Sequence, residues 1–230
     1  MNNRSISFIV FRISQIAGSV WLFKTENPVV LFAILLAGLL HAGYAQRHQL
    51  LSLKPFGGYA NWLTLSRVLL LAVLLLYAQE WPLVQIAAVG LWISMADFLD
   101  GFLARKFNVV SIMGGYLDEE ADTFYFITMG SILFQNNLCG AYILLPGIAK
   151  YAKDVLLTLF ADWFKKPVRI PAAKWIAGVS FILYLSAFVT SSKIYTYATV
   201  LAAAALCLSL LAEVIIRYSG FSKNKTLVSK

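Results

Sequence analysis

Apolar residues fall along this chain in long blocks separated by short polar or charged connectors, without the strict alternation of a half-buried strand or the narrow stripe of a helix on a soluble core. Read as spans, the blocks are Val29 to Ala45, Leu63 to Tyr77, Val84 to Arg105, Ser111 to Phe134, Gly140 to Phe160, Pro171 to Val189 and Tyr195 to Ile216. Each is close to the about 20 residues that cross a bilayer as a helix. The pattern therefore predicts an all-α integral membrane protein, a six-helix core preceded by one extra helix. The stretch before it, Ser7 to Phe23, is interrupted by Arg12, Ser14 and Gln15, so it either lies in the membrane interface or forms the other arm of a hairpin. Arg4 and Arg12 flank apolar residues as in a signal peptide, but no clean small-residue cleavage site follows, and the segment is expected to be retained. The chain thus divides into an N-terminal extension (1–60), a membrane domain (61–217) and a basic cytoplasmic tail (218–230).

Composition agrees with this reading: of 230 residues, 60% are hydrophobic and 13% charged, and the mean hydropathy is +0.75. No room remains for a separate soluble domain. The formal charge of +8 does not indicate nucleic acid, because the cations sit in the connectors, where they orient membrane helices. If the core helices alternate, Arg47 and Lys54, Arg105 and Lys106, Lys165, Lys166, Arg169 and Lys174, and Arg217, Lys223, Lys225 and Lys230 share one side, with Lys193 alone opposite. Arg4, Arg12 and Lys24 join the majority only if the extension is a hairpin. Cys139 and Cys207 lie in apolar stretches without CxxC spacing and read as packing residues.

Carboxylates are the exception to the apolar pattern. An Asp in a bilayer costs about 2.5 to 3.5 kcal/mol on insertion scales, yet Asp97, Asp100, Asp118 and Asp122 occur within one helical hairpin. Spacings of three and four put each pair on one helical face. Both pairs lie about 8 to 14 residues from the connector near Asn108, so on antiparallel helices they meet at similar depth. Four converging carboxylates repel unless a cation intervenes, and a hard divalent ion, Mg²⁺ or Mn²⁺, takes such oxygen ligands and bridges phosphates. Room for two ions would let one polarise the phosphoryl oxygens while the other stabilises the leaving phosphate. Gly101, Ala104 and Gly114 are small enough for a nucleotide to approach the backbones, and Arg105 supplies fixed charge for a diphosphate.

The stretch Asp97-Phe-Leu-Asp100-Gly101-Phe-Leu-Ala104-Arg105, then eight residues, Gly114, three residues, Asp118, three residues and Asp122 resembles the full signature of the CDP-alcohol phosphotransferase (phosphatidyltransferase) family. The resemblance runs from about Asn61 to Arg217, and Asn61-Trp-Leu-Thr64-Leu-Ser-Arg67 looks like the family's entry to its first core helix. It implies attack of an acceptor hydroxyl on the phosphorus of a CDP-linked lipid such as CDP-diacylglycerol, with release of CMP. It also implies a multi-pass protein of a bacterial-type inner membrane, an active site open to the cytoplasm, and a homodimer. By the same resemblance Asp97, Asp100 and Asp118 are metal ligands, and Asp122 also approaches the metal and serves as general base. Gly101, Arg105 and Ser111 contact the CDP portion, with Asn61 a further candidate.

After Asp118 the chain has Glu119, Glu120 and Ala121, and after Asp122 it has Thr123, whereas relatives that make phosphatidylglycerophosphate usually carry a proline-containing step and a lysine here. The acceptor therefore stays open. Glu119 and Glu120 are either outer groups of the site or solvated at a helix start. For a phosphorylated acceptor such as glycerol 3-phosphate, Lys150, Lys153, Arg169 and Lys174 are the candidate cations. The plainer reading has Lys153 paired with a carboxylate, Arg169 at the membrane boundary and Lys174 snorkelling. Two other classes use intramembrane acids: a transporter with an acidic cation site, and a membrane prenyltransferase with aspartate-rich motifs. No paired halves or broken helices favour the first, and confinement of all four aspartates to one hairpin disfavours the second.

Overall fold

The structure is a computed structural model that describes residues 3–25, 27–45, 59–106, 112–164, 171–189 and 193–228. Among these it contains eight α-helices and no strand: α1 (Asn3–Thr25), α2 (Pro28–Ala45), α3 (Tyr59–Tyr77), α4 (Leu83–Lys106), α5 (Ile112–Gln135), α6 (Leu145–Leu159), α7 (Pro171–Val189) and α8 (Lys193–Val228). Local chemistry explains several of the ends. Pro82 precedes α4, where its missing N–H is no loss. At the end of α5, Asn137 takes a positive φ of 56°, the amide of Leu138 reaches the carbonyl of Leu133 and that of Asn137 the carbonyl of Phe134, both at 2.9 Å. This is the left-handed cap that satisfies the last carbonyls of a helix.

α5 occupies the middle of the bundle, packed by α2, α3, α6 and α7. From Glu120 to Leu133 nearly every side chain is buried, including Phe124, Tyr125, Ile127, Met129 and Ile132. This stretch needs no apolar face for lipid, and the four acids of α5 lie near its start, where Asp118, Glu119 and Asp122 are partly open and Glu120 is buried.

Among the described residues four helices are long and apolar enough to cross a membrane, over Trp62–Glu80, Leu83–Leu103, Ala172–Val189 and Lys193–Tyr218. The sequence pattern counted more spans than this. α5 has the length, 24 residues, but its acids take it out on composition. The block Gly140 to Phe160 divides into a 3₁₀ turn, Ala141–Leu144, and the 15-residue α6, a helix of only about 22 Å. α8 continues past Ile216, where the apolar block ends, to Val228.

α1 and α2 form an antiparallel hairpin: a Cβ on Gly18 would stand 2.7 Å from Ile34, and one on Gly38 would stand 2.3 Å from Gln15. The stretch Ser7 to Phe23 is thus an arm of a hairpin rather than an isolated interfacial helix. Its two faces are inverted relative to a soluble helix. Arg12, Gln15 and Ser19 point inward and are buried, while Ile6, Val10, Ile13, Val20 and Trp21 point outward, as suits a surface in contact with lipid tails.

Small residues set several of the close approaches. A Cβ on Gly147 of α6 would lie 2.3 Å from Cγ1 of Ile127 on α5, whereas one on Gly178 meets nothing within 4 Å. Gly147→Ala is expected to destabilise the purified protein by about 1 to 3 kcal/mol through overpacking, and Gly178→Ala to be neutral or slightly stabilising. Thermal denaturation in detergent checks both. Equal melting temperatures for the two variants would show that α5 and α6 do not pack this closely.

Candidate functional site

Three helices build the acidic site. Thr64 and Arg67, three apart on α3, face the pair Asp97 and Asp100 near the end of α4 and the pair Asp118 and Asp122 near the start of α5. The guanidinium of Arg67 is completely enclosed and touches all four carboxylates. Its Nη1 lies 2.7 Å from Asp97 Oδ1, 3.2 Å from Asp100 Oδ2 and 3.1 Å from Asp118 Oδ1, and its Nη2 lies 2.8 Å from Asp122 Oδ1. Thr64 Oγ1 donates a further bond of 2.8 Å to Asp100 Oδ2.

Exposure is graded across the site. The side chain of Asp100 is 6% exposed, against 30% for Asp97, 35% for Asp122 and 46% for Asp118. Asp100, Thr64 and Arg67 therefore form a floor, and the other three carboxylates line an opening.

Four ionised carboxylates and one guanidinium leave three uncompensated negative charges in a poorly solvated space, which is unfavourable without further cations or protons. Asp97, Asp100 and Asp118 each offer a carboxylate oxygen, all within 4.8 Å of one another. An all-oxygen donor set of this compactness fits a hard divalent ion such as Mg²⁺ or Mn²⁺ and suits soft or thiophilic metals poorly.

The four aspartates expected from the sequence are thus brought together. Gly101 and Gly114 are half-buried beside them in the chain. Asn61 lies on α3, and Ala104 and Arg105 on α4, with side chains outside the described residues, as is Ser111 altogether. Lys150 is paired with Glu119 at 2.6 Å and with Asp154 at 2.9 Å, and Lys153 with Glu213 at 2.6 Å. Lys174 is exposed at the start of α7, and Arg169 lies outside the described residues. Of the two glutamates, Glu119 is exposed but paired with Lys150, whereas Glu120 is buried against Arg12 and is not a solvated residue.

Sequence reasoning missed Arg67 as part of the site, although a signal was present. An arginine inside an apolar block is as costly as an aspartate, and four carboxylates call for a counter-charge.

The class of protein is thus a helical membrane bundle with a carboxylate tetrad on adjacent helices, three of its acids close enough to share a metal ion. The chain belongs to the CDP-alcohol phosphatidyltransferase family, whose model matches residues 58–222, and so is an enzyme of that type, a membrane transferase of phospholipid biosynthesis. Similar curated proteins are named CDP-diacylglycerol–glycerol-3-phosphate 3-phosphatidyltransferase. The one from Sodalis glossinidius (strain morsitans) is 28% identical over 135 residues, 56% of this chain and 74% of the relative. The one from Yersinia pestis (strain Pestoides F) is 26% identical over 134 residues, 56% and 73%, and that from Escherichia coli (strain K12) is 28% identical over 122 residues, 51% and 66%. No solved structure gave a significant match.

Arg67→Gln removes the single cation shared by all four carboxylates, and loss of one partner from a buried ion-pair cluster costs about 3 to 5 kcal/mol. The variant is expected to melt well below the parent protein in EDTA and to regain more stability than the parent does when Mg²⁺ or Mn²⁺ is added. Melting curves with and without metal check this. A variant as stable as the parent in EDTA would show that Arg67 is not the counter-charge.

Proposed function

We propose that this protein transfers a phosphatidyl group from a CDP-linked lipid such as CDP-diacylglycerol to the hydroxyl of an acceptor alcohol, releasing CMP, in a reaction that requires Mg²⁺ or Mn²⁺. The observation that carries the proposal is the convergence of the Asp97, Asp100 and Asp118 carboxylates within 4.8 Å, in the family that the sequence identifies.

The roles we assign rest on the position of the four aspartates and, for the CDP contacts, on the family resemblance. Asp97, Asp100 and Asp118 would hold the metal, which supplies electrophilic activation of the diphosphate and charge for the departing phosphate of CMP. One divalent ion reduces the three uncompensated negative charges to one; two turn the site to a single positive charge, better matched to a diphosphate. Two ions are therefore the better stoichiometry. Asp122, at the open side, takes the proton of the acceptor hydroxyl as its oxygen bonds to phosphorus, and the phosphorus–oxygen bond to CMP breaks with its electron pair leaving on CMP. Gly101, Ala104 and Gly114 leave space for the nucleotide along the helices, and Arg105, Ser111 and Asn61 contact the CDP portion.

Glycerol 3-phosphate is the acceptor we propose, supported by the names of the similar proteins. Among the described cations, Lys150 and Lys153 already have carboxylate partners, so an acceptor phosphate would have to compete for them. Arg169 and Lys174 complete the candidate acceptor set. In this reading all six core helices cross an inner membrane, α5 as its most buried member. The basic connectors in the sequence favour an active site at the cytoplasmic side.

The test is CMP release from CDP-diacylglycerol by purified protein. Release is expected only with Mg²⁺ or Mn²⁺ and with glycerol 3-phosphate, and mass spectrometry should find phosphatidylglycerophosphate. Asp122→Asn should lower turnover about 10²- to 10⁴-fold, the worth of a general base. Metal-independent release would overturn the mechanism, and release supported by another alcohol alone would overturn the acceptor.

A further inference from the structure

The N-terminal helix α1 lies outside the region matched by the family, residues 58–222, yet it delivers a buried cation to the helix that bears Asp118 and Asp122. Arg12 Nη1 donates to Glu120 Oε2 at 2.8 Å, and Nη2 pairs with Glu120 Oε1. Nη2 also lies 3.2 Å from Asp154 Oδ2, and Nη1 donates to Gln15 at 2.9 Å. The guanidinium sits between the rings of Phe8 and Tyr151, 4.7 and 5.0 Å from their centroids. Arg12, which the sequence offers only as one of three N-terminal cations, has a specific partner. It is buried, and it is committed to Glu120.

The direction of that contact matters more than its existence. At about 100° per residue, Glu120 projects roughly 160° away from both Asp118 and Asp122 around the axis of α5. Arg67 grips the aspartate face from α3, and Arg12 grips the opposite face from α1. α5 is thus held by a guanidinium on each side, which resists rotation about its own axis. Lys150 extends the second clamp, joining Asp154 to Glu119. Arg12 and Lys150 contribute two positive charges against three negative ones from Glu119, Glu120 and Asp154, so this cluster is no anion site. Its cations are spent on holding helices.

We propose that Arg12 is a positioning residue for the metal site: through Glu120 it fixes the rotation of α5, and thereby where Asp118 and Asp122 point. Ligand oxygens need placement within about 0.5 Å and 10 to 20°, and in lipid the apolar faces of α1 offer little drive of their own. The inference rests on the reading of Asp118 and Asp122 as members of a metal site.

The experiment measures Mn²⁺ binding to purified full-length protein in detergent, by the loss of the free-ion electron paramagnetic resonance signal, alongside melting temperature. Arg12→Gln is expected to weaken Mn²⁺ binding about tenfold or more, the scale on which outer partners affect metal affinity, and Arg12→Lys to restore most of it. Tyr184→Phe serves as the destabilised control, since it removes a 2.9 Å bond from Tyr184 to the carbonyl of Ile143 and should lower the melting temperature without changing Mn²⁺ affinity. Should Arg12→Gln not fold, the double variant Arg12→Gln, Glu120→Gln removes both charges and leaves no unpaired ion; it too is expected to bind Mn²⁺ more weakly. Parent-like Mn²⁺ affinity in a folded Arg12→Gln or double variant would overturn the proposal. A parent protein that binds no Mn²⁺ would overturn the metal reading itself, and this inference with it.

Discussion

Four carboxylates from two helices meet one guanidinium from a third, and the imbalance of that meeting constrains the rest of the molecule. Arg67 is fully enclosed and within 3.2 Å of Asp97, Asp100, Asp118 and Asp122. One positive charge cannot neutralise four negative ones in low dielectric, yet it can hold them at a common centre. The site is thereby organised and left short of cations at once. That combination suits chemistry on a diphosphate, which arrives with its own negative charge and with divalent ions that want oxygen ligands.

The bundle is arranged around this demand. α5 carries half of the tetrad near its start and is buried among other helices from Glu120 to Leu133. α3 and α4 complete the site, and α1 braces α5 from behind. Apolar residues on the outer faces of α1, α4, α7 and α8 supply the lipid contact. In an aqueous protein the hydrophobic effect would gather such helices; in a bilayer, close packing at glycines and buried polar contacts carry more of that burden. Gly147 against Ile127 and Arg12 against Glu120 are instances of each.

Sequence reading recovered the tetrad because its offsets are local: spacings of three and four on two adjacent helices define faces without any knowledge of the fold. It also recovered the helical membrane class, since long apolar blocks need no tertiary information. Arg67 was present in the quoted approach segment but had no partner visible along the chain, because its carboxylates lie 30 to 55 positions away. Arg12 and Glu120 are 108 positions apart, and hydropathy treats both as generic charges. The count of spans is matched only in part, four helices among the described residues meeting the length and hydropathy of a span, for a related reason. Hydropathy measures how apolar a segment is, not how enclosed it is, and it could not see that α5 is an interior helix or that the block beginning at Gly140 breaks before a short one.

The most direct measurement is a structure of the protein determined with Mn²⁺ and CDP, with anomalous scattering used to locate the ion. The expected result is Mn²⁺ bound by carboxylate oxygens of Asp97, Asp100 and Asp118, with the diphosphate on the open side beside Asp122. Mn²⁺ located elsewhere, with Arg67 still bridging all four carboxylates in the presence of CDP, would contradict the assignment of this site.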